Sequence, residues 1–284
     1  MSIIDKIKSS YKSGTIVEKL IYVNLAIFIF TLFTSVFQDL YKGEMNFIVE
    51  WFSLDNSFSS LLSKPWTIIS YGFLHADFLH ILLNLITLYF IGNLFIEYFT
   101  QKKLLTFYVL GTLFGGILFL LSMNYFPLFE GQSAVLVGAS AGISAIFIGL
   151  TTYIPNYELK LRFIGFVKLW HLAAIWVGLD VLALSGGNAG GHFAHLGGAL
   201  FGFLYVNKAT NKDLKIWDKI TSLFTSKKKP FKTVYKSPKR AKKPVQNSSL
   251  NQQQIDGILD KISKSGYDTL TKAEKEFLFK QGRK

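Results

Sequence analysis

The 284-residue chain has no cysteine. Disulfide frameworks, thiolate metal sites and cysteine nucleophiles are therefore excluded. Charge is also scarce: 17% of residues are Asp, Glu, Lys or Arg, against about 25% in an ordinary soluble domain. What charge there is divides sharply along the chain. Residues 1–207 hold 11 Lys/Arg against 11 Asp/Glu, while residues 208–284 hold 20 against 7 and so carry the whole net charge of +13. A soluble domain is further disfavoured by 27 phenylalanines and by the apolar half of the composition. No small-x-small cleavage site follows the first apolar run, which ends at Gln38-Asp39. It reads as an uncleaved membrane helix and not a signal peptide.

What is present is a series of long apolar runs. A bilayer core needs about 20 mostly apolar helical residues, and six stretches approach or exceed that: 20–38, 67–97, 104–125, 137–153, 167–185 and 191–207. The expected fold is all-α, a polytopic membrane bundle of six helices over residues 20–207. Residues 1–19 form a cytoplasmic leader ahead of it. Lys and Arg in short connections set the orientation. They occur in the leader (Lys6, Lys8, Lys12, Lys19), in the second connection (Lys102, Lys103) and in the fourth (Lys160, Arg162, Lys168). The third connection and the glycine-rich fifth (186–191) have none, and the first has only Lys42 and Lys64 against four acids. Both termini are thus expected in the cytoplasm, in the cell (inner) membrane, with spans two, four and six running inward.

Strongly polar residues within spans are costly and mark function by default. His75, His80 and Asn84 fall in the first half of span two, Ser140 at the start of span four, and His192 and His195 at the start of span six. All belong to inward-running spans, so all fall in the outer half of the bilayer. At about 100° per residue, His80 and Asn84 share a face. His75 is about 140° from His80 and cannot join it without a break in the helix, so it is assigned a positioning role near the mouth. His195, Gly198 and Gly202 form one stripe, and Ala141, Ala145 and Gly149 another. Small residues at such spacing allow close approach of helix backbones in lipid, which would bring Ser140 to His195. Taken singly, a membrane serine usually bonds its own backbone and a membrane histidine is usually structural; it is the combination that points to chemistry.

That chemistry is acyl transfer. A serine needs a base to take its proton, and His195 could also protonate the leaving amine. The oxyanion needs preorganised donors, for which His80, Asn84 and the backbone N–H of Ser140 are suitable. No metal or other cofactor is expected.

These residues resemble the rhomboid family. The second-span pattern His-x4-His-x3-Asn is matched by His75, His80 and Asn84. The nucleophile motif is matched by Gly138 through Ala141, and the sixth-span motif by Ala194, His195, Gly198 and Gly202. The resemblance covers residues 20–207. It implies a Ser140–His195 dyad, an oxyanion site involving His80 and Asn84, and cleavage of membrane-spanning protein substrates in or near the outer half of the bilayer. Gly92 and Glu97 look like a family structural element. Two departures stand out. Ala141 replaces the commoner glycine after the serine, and Ser144 stands where many relatives carry an aromatic residue that supports the catalytic imidazole. Asp77 and Asp180 raise the question of an acidic third member. The plainer reading of Asp180, an interfacial aspartate facing water or a neighbouring helix, leaves it outside the catalytic set.

Residues 208–250, rich in Lys, Ser and Pro, read as a disordered basic linker suited to anionic lipid. No folded nucleic-acid-binding module accompanies the charge, so nucleic acid is not an expected partner. Residues 251–284 regain a helical period through Ile255, Ile258, Leu259 and Ile262. A capping box at Thr271–Glu274 opens a second helix, giving a small hairpin that could dock a cytoplasmic partner. The leading function is a serine endopeptidase. The alternative is a catalytically silent relative, a scaffold that binds transmembrane helices.

Overall fold

The computed structural model describes residues 13–41, 46–162, 164–208 and 248–281. Most of the expected leader and of the basic linker lies outside the described residues. Two compact units emerge, Met1–Ser226 and Lys227–Lys284, and each is considered by itself.

The first unit is mostly helical. Helix α1 (Ile16–Leu40) starts at a capping box between Thr15 and Glu18. Its inner side buries Val17, Leu20, Asn24 and Phe28, and its outer side exposes Ile29, Phe30, Phe33 and Phe37. A helix that turns Phe and Ile outward is built for lipid rather than water. Gly92, further along the chain, is buried against Val17 of this helix, and Glu97 is exposed.

After α1 come α2 (Phe47–Phe52), the two-residue strand β1 (Leu54–Asp55) and α3 (Phe58–Ser63). The stretch 67–97, expected as one helix, is interrupted. A short α4 (Thr67–Ser70) runs into a 3-10 turn (Tyr71–Phe73), and the chain then extends before α5 (Phe78–Tyr98) begins. Asp77 decides the new start: it is extended, and its carboxylate accepts the backbone N–H of His80 at 2.8 Å. An aspartate at an N-cap satisfies an otherwise orphaned donor. Hydropathy alone carries no information about such a cap.

Helix α6 (Gln101–Tyr125) and strand β2 (Val135–Leu136) lead to α7 (Ser140–Tyr153), which occupies the centre. Ten of its 14 residues are buried. At 1.5 Å per residue α7 is about 21 Å long. It can be short because α5, α6, α8 (Leu169–Leu182) and α9 (Ala189–Lys208) pack against it. The approach of α9 to α7 is glycine-dependent. A Cβ on Gly198 would run into the Ala141 carbonyl oxygen, and one on Gly202 into that of Ala145.

By length and hydropathy α1, α5 and α6 can each cross a membrane, and α7 and α8 are shorter apolar helices. The first unit is mostly helical, and its described residues add two small antiparallel ladders. One pairs β1 with β2, and the other pairs β3 (Glu158–Leu161) with β4 (Gly165–Lys168). The first fastens the long first connection to the segment just ahead of Ser140.

In the second unit, α10 (Ser248–Ser265) begins three residues earlier than expected and is followed by α11 (Lys272–Gln281). Gly266 turns the chain between them at φ 82°. Thr271 and Glu274 form reciprocal bonds: the Thr271 N–H donates to Glu274 Oε2 at 2.8 Å, and the Glu274 N–H to Thr271 Oγ1 at 3.4 Å.

Candidate active site

Ser140 is the first residue of α7. The long helices α1, α5 and α6 start at side-chain caps (Thr15, Asp77, Thr100), but α7 follows Ala139 with no side-chain cap. Its first N–H groups, which like those of any helix lack intrahelical partners, thus receive no N-cap side chain, and the positive end of its dipole lies at Ser140. The turn before it depends on Gly138, whose φ is +131°. A Cβ there would stand only 2.9 Å from the Cε1 and Nε2 atoms of His80. Gly138 thus supplies a backbone shape that L-residues avoid and also admits the imidazole beside the serine. Its N–H donates to the Tyr71 carbonyl at 3.0 Å, anchoring the turn.

Ser140 and His195 meet. Nε2 of His195, on the second turn of α9, lies 2.7 Å from Ser140 Oγ. The close α7–α9 packing at Gly198 and Gly202 makes this reach possible. On the other side of the ring, Nδ1 lies 2.8 Å from Asp180 Oδ1. A carboxylate accepts, so His195 holds its proton on Nδ1, leaving Nε2 to accept from the Ser140 hydroxyl.

Of the two surroundings the sequence allows Asp180, water or a neighbouring helix, it has the second, facing α9. It is 5% exposed, and its Oδ1 also takes a second hydrogen bond, from His192 Nδ1 at 2.8 Å. The polar character of His192 was visible in the sequence, but its shared partner was not. The three polar atoms, Asp180 Oδ1 and the two Nδ1, lie within 4.8 Å of one another. Ligand atoms on a tetrahedral zinc with bonds of about 2.0–2.1 Å would stand about 3.3 Å apart. The observed 2.8 Å contacts have the spacing of charge-assisted hydrogen bonds and fit that bonding better.

Two rings neighbour His195: that of His192, with centroids 5.7 Å apart, and that of Trp176 from α8, 6.4 Å away at 39°. Trp176 carries no signal in the sequence, because residue spacing within span four says nothing about a side chain on span five.

His80 and Asn84 share the first turns of α5. The Ala76 N–H donates to His80 Nδ1 at 3.4 Å, so the neutral ring carries its proton on Nε2, the nitrogen beside Gly138. Asn84 is buried and donates one amide hydrogen to the His80 carbonyl at 3.0 Å, leaving the other available. His75 lies in the break before α5, not in the helix. Its ring is 5.2 Å from that of His80, edge to face, and both its nitrogens are buried. A cavity of about 640 Å³ joins the site, lined by Tyr71, Asp77, His80, Asn84, Ser140 and His195 among others. At about 30 Å³ per water, it has room for solvent beside Ser140.

The family model described as the Rhomboid domain matches residues 62–211, more than half of the chain. The chain belongs to the rhomboid family. The matched span contains every site residue described above, from His75 to His195. The RHOMBOID-like protein 12, mitochondrial, of Arabidopsis thaliana is 33% identical over 165 residues, covering 54% of this chain and 47% of that protein. The rhomboid protease GlpG of Yersinia pseudotuberculosis is 26% identical over 202 residues, 68% of this chain and 62% of that one. Rhomboid-like protease 3 of Toxoplasma gondii is 29% identical over 162 residues, 55% of this chain and 56% of its own. The chain thus spans about half the length of the curated relatives it matches. Residues 246–281 match a second model, a family of unknown function (DUF6576). The rhomboid match covers α4 to α9 and leaves α1 and the second unit outside it.

Proposed function

We propose that this rhomboid is an intramembrane serine endopeptidase using Ser140 as nucleophile and His195 as general base. The observation that carries the proposal is the 2.7 Å contact between Ser140 Oγ and His195 Nε2, at the wall of the 640 Å³ cavity. Two of the relatives bear the name protease, which supports the same reading.

In this mechanism Ser140 Oγ bonds to the substrate carbonyl carbon as its proton passes to His195 Nε2. The resulting oxyanion is met by the His80 Nε2–H, the Asn84 amide and the Ser140 N–H. His195 then gives the proton to the departing amine, and water from the cavity repeats the sequence on the acyl-serine. Gly138, Gly198 and Gly202 act by letting His80 and α9 come close, and His75 acts as a support to the His80 ring.

The substrates are transmembrane proteins, cut in or near the outer half of the bilayer. That depth follows from a six-span reading in which α1, α5, α6, α7, α8 and α9 all cross, with both termini cytoplasmic according to the Lys/Arg bias. Residues 1–19 are then the leader and 20–207 the membrane domain. Residues 208–250 form a basic linker drawn to anionic lipid of the inner leaflet, and 251–284 a cytoplasmic docking hairpin.

A serine-directed fluorophosphonate and a test transmembrane substrate decide the matter. The detergent-purified protein should be labelled and should cleave, whereas Ser140→Ala and His195→Ala should do neither above background while remaining folded. Cleavage surviving in Ser140→Ala would overturn the proposal. A folded wild type that binds the substrate without cutting it would favour the silent scaffold instead.

A further inference from the structure

The reading of Ser140 and His195 as the reacting pair leaves one buried charge unexplained. Asp180 lies near the end of α8, almost fully buried among apolar helices. A lone carboxylate in that setting is costly and persists only when paired or well hydrogen-bonded. Its Oδ1 is the acceptor for two imidazoles at once, His195 Nδ1 and His192 Nδ1, each at 2.8 Å. His192 and His195 are one turn apart on α9, so they present two donors to one oxygen on a different helix.

We infer that Asp180 and His192 are positioning residues for His195. Neither touches the reacting atoms. Asp180 holds the His195 proton on Nδ1, which keeps the Nε2 lone pair turned toward Ser140. When Nε2 takes the serine proton, the ring becomes an imidazolium beside a carboxylate that is already in place, so the new charge is met without rearrangement. His192 occupies the other side of the same oxygen and fixes the carboxylate's direction. This supplies, from α8, the orientation of His195 that Ser144 cannot provide from α7.

The test measures kcat and KM of the full-length purified protein on a transmembrane substrate, with thermal unfolding as a folding control. Asp180→Asn removes the charge while keeping the shape. It should lower kcat by about 10²-fold or more and leave KM within about twofold. His192→Leu should lower kcat by about 10-fold. His192→Asn should recover most of that loss, because its amide N–H falls near the position of Nδ1. A merely structural role predicts neither a kcat-only effect nor a rescue by asparagine. Wild-type kcat in folded Asp180→Asn, or in His192→Leu should Asp180→Asn fail to fold, overturns the inference, provided Ser140→Ala is inactive in the same assay. Cleavage by Ser140→Ala overturns the underlying reading instead. Loss of wild-type activity in EDTA, restored by a divalent metal, would assign the three atoms to a cation and also overturn the hydrogen-bonded arrangement.

Discussion

The indole N–H of Trp176 donates to Ser144 Oγ at 3.1 Å. Position 144, one turn along α7 from Ser140, is fully buried. With a small hydroxyl there, the indole of α8 can pack against α7 near His195. The tryptophan ring beside His195 is thus carried by α8 and not by α7, with ring centroids 6.4 Å apart. Serine at 144 accepts the one hydrogen bond the indole needs when buried.

Asn84→Ala should reduce cleavage without abolishing it. Loss of one preorganised oxyanion donor costs about 10²–10³ in turnover, and His80 and the Ser140 N–H would remain. Fluorophosphonate labelling of Ser140 in the same variant reports whether the nucleophile stays reactive. An unchanged rate in Asn84→Ala would remove that residue from the oxyanion site.

Gly198→Ala should be disproportionately harmful. Its Cβ would meet the Ala141 carbonyl oxygen, a backbone atom that cannot swing aside, so α7 and α9 must separate and Ser140 must leave His195. Overpacking of this kind costs about 1–3 kcal/mol, read as a lower Tm together with lost cleavage. Gly178→Ala is the control: it is also helical but has nothing within 4 Å of the added carbon, and it should keep stability and activity.

Truncation after Lys212 should leave the chemistry intact, since Ser140, His195, His80 and Asn84 all precede the cut. The truncated protein should insert, label at Ser140 and cleave in detergent. Labelling without cleavage would show that the second unit takes part in handling substrate.

The second unit should lose order in acid. Glu274 is held at a pKa of about 2, first by the Thr271 backbone N–H and then by Lys261 and the Thr271 hydroxyl. A depressed carboxylate stabilises the folded form above its ordinary value of 4.5 and loses that contribution as pH falls through about 2. Circular dichroism of a peptide spanning 246–284 should show helicity falling across this window. Glu274→Gln should already be less helical at pH 7 and should respond less to acid. Equal melting of the two peptides at pH 7 would dismiss the cap.

Much of this protein could be read along the chain, because the physics involved is local. Apolar runs imply helices with lipid-facing sides, as in α1. Small residues recurring at Ala141 and Ala145, and at Gly198 and Gly202, mark the faces that pack. Ser140, His195, His80 and Asn84 stood out because polar groups at membrane depth are expensive. The break at Asp77 was less legible: a cap depends on one carboxylate meeting one N–H, and hydropathy averages over it. Asp180 and Trp176 were settled by the tertiary structure alone. Whether an aspartate at a helix end faces water or a histidine depends on how α8 rotates against α7 and α9, and that rotation is fixed by packing among residues far apart in sequence.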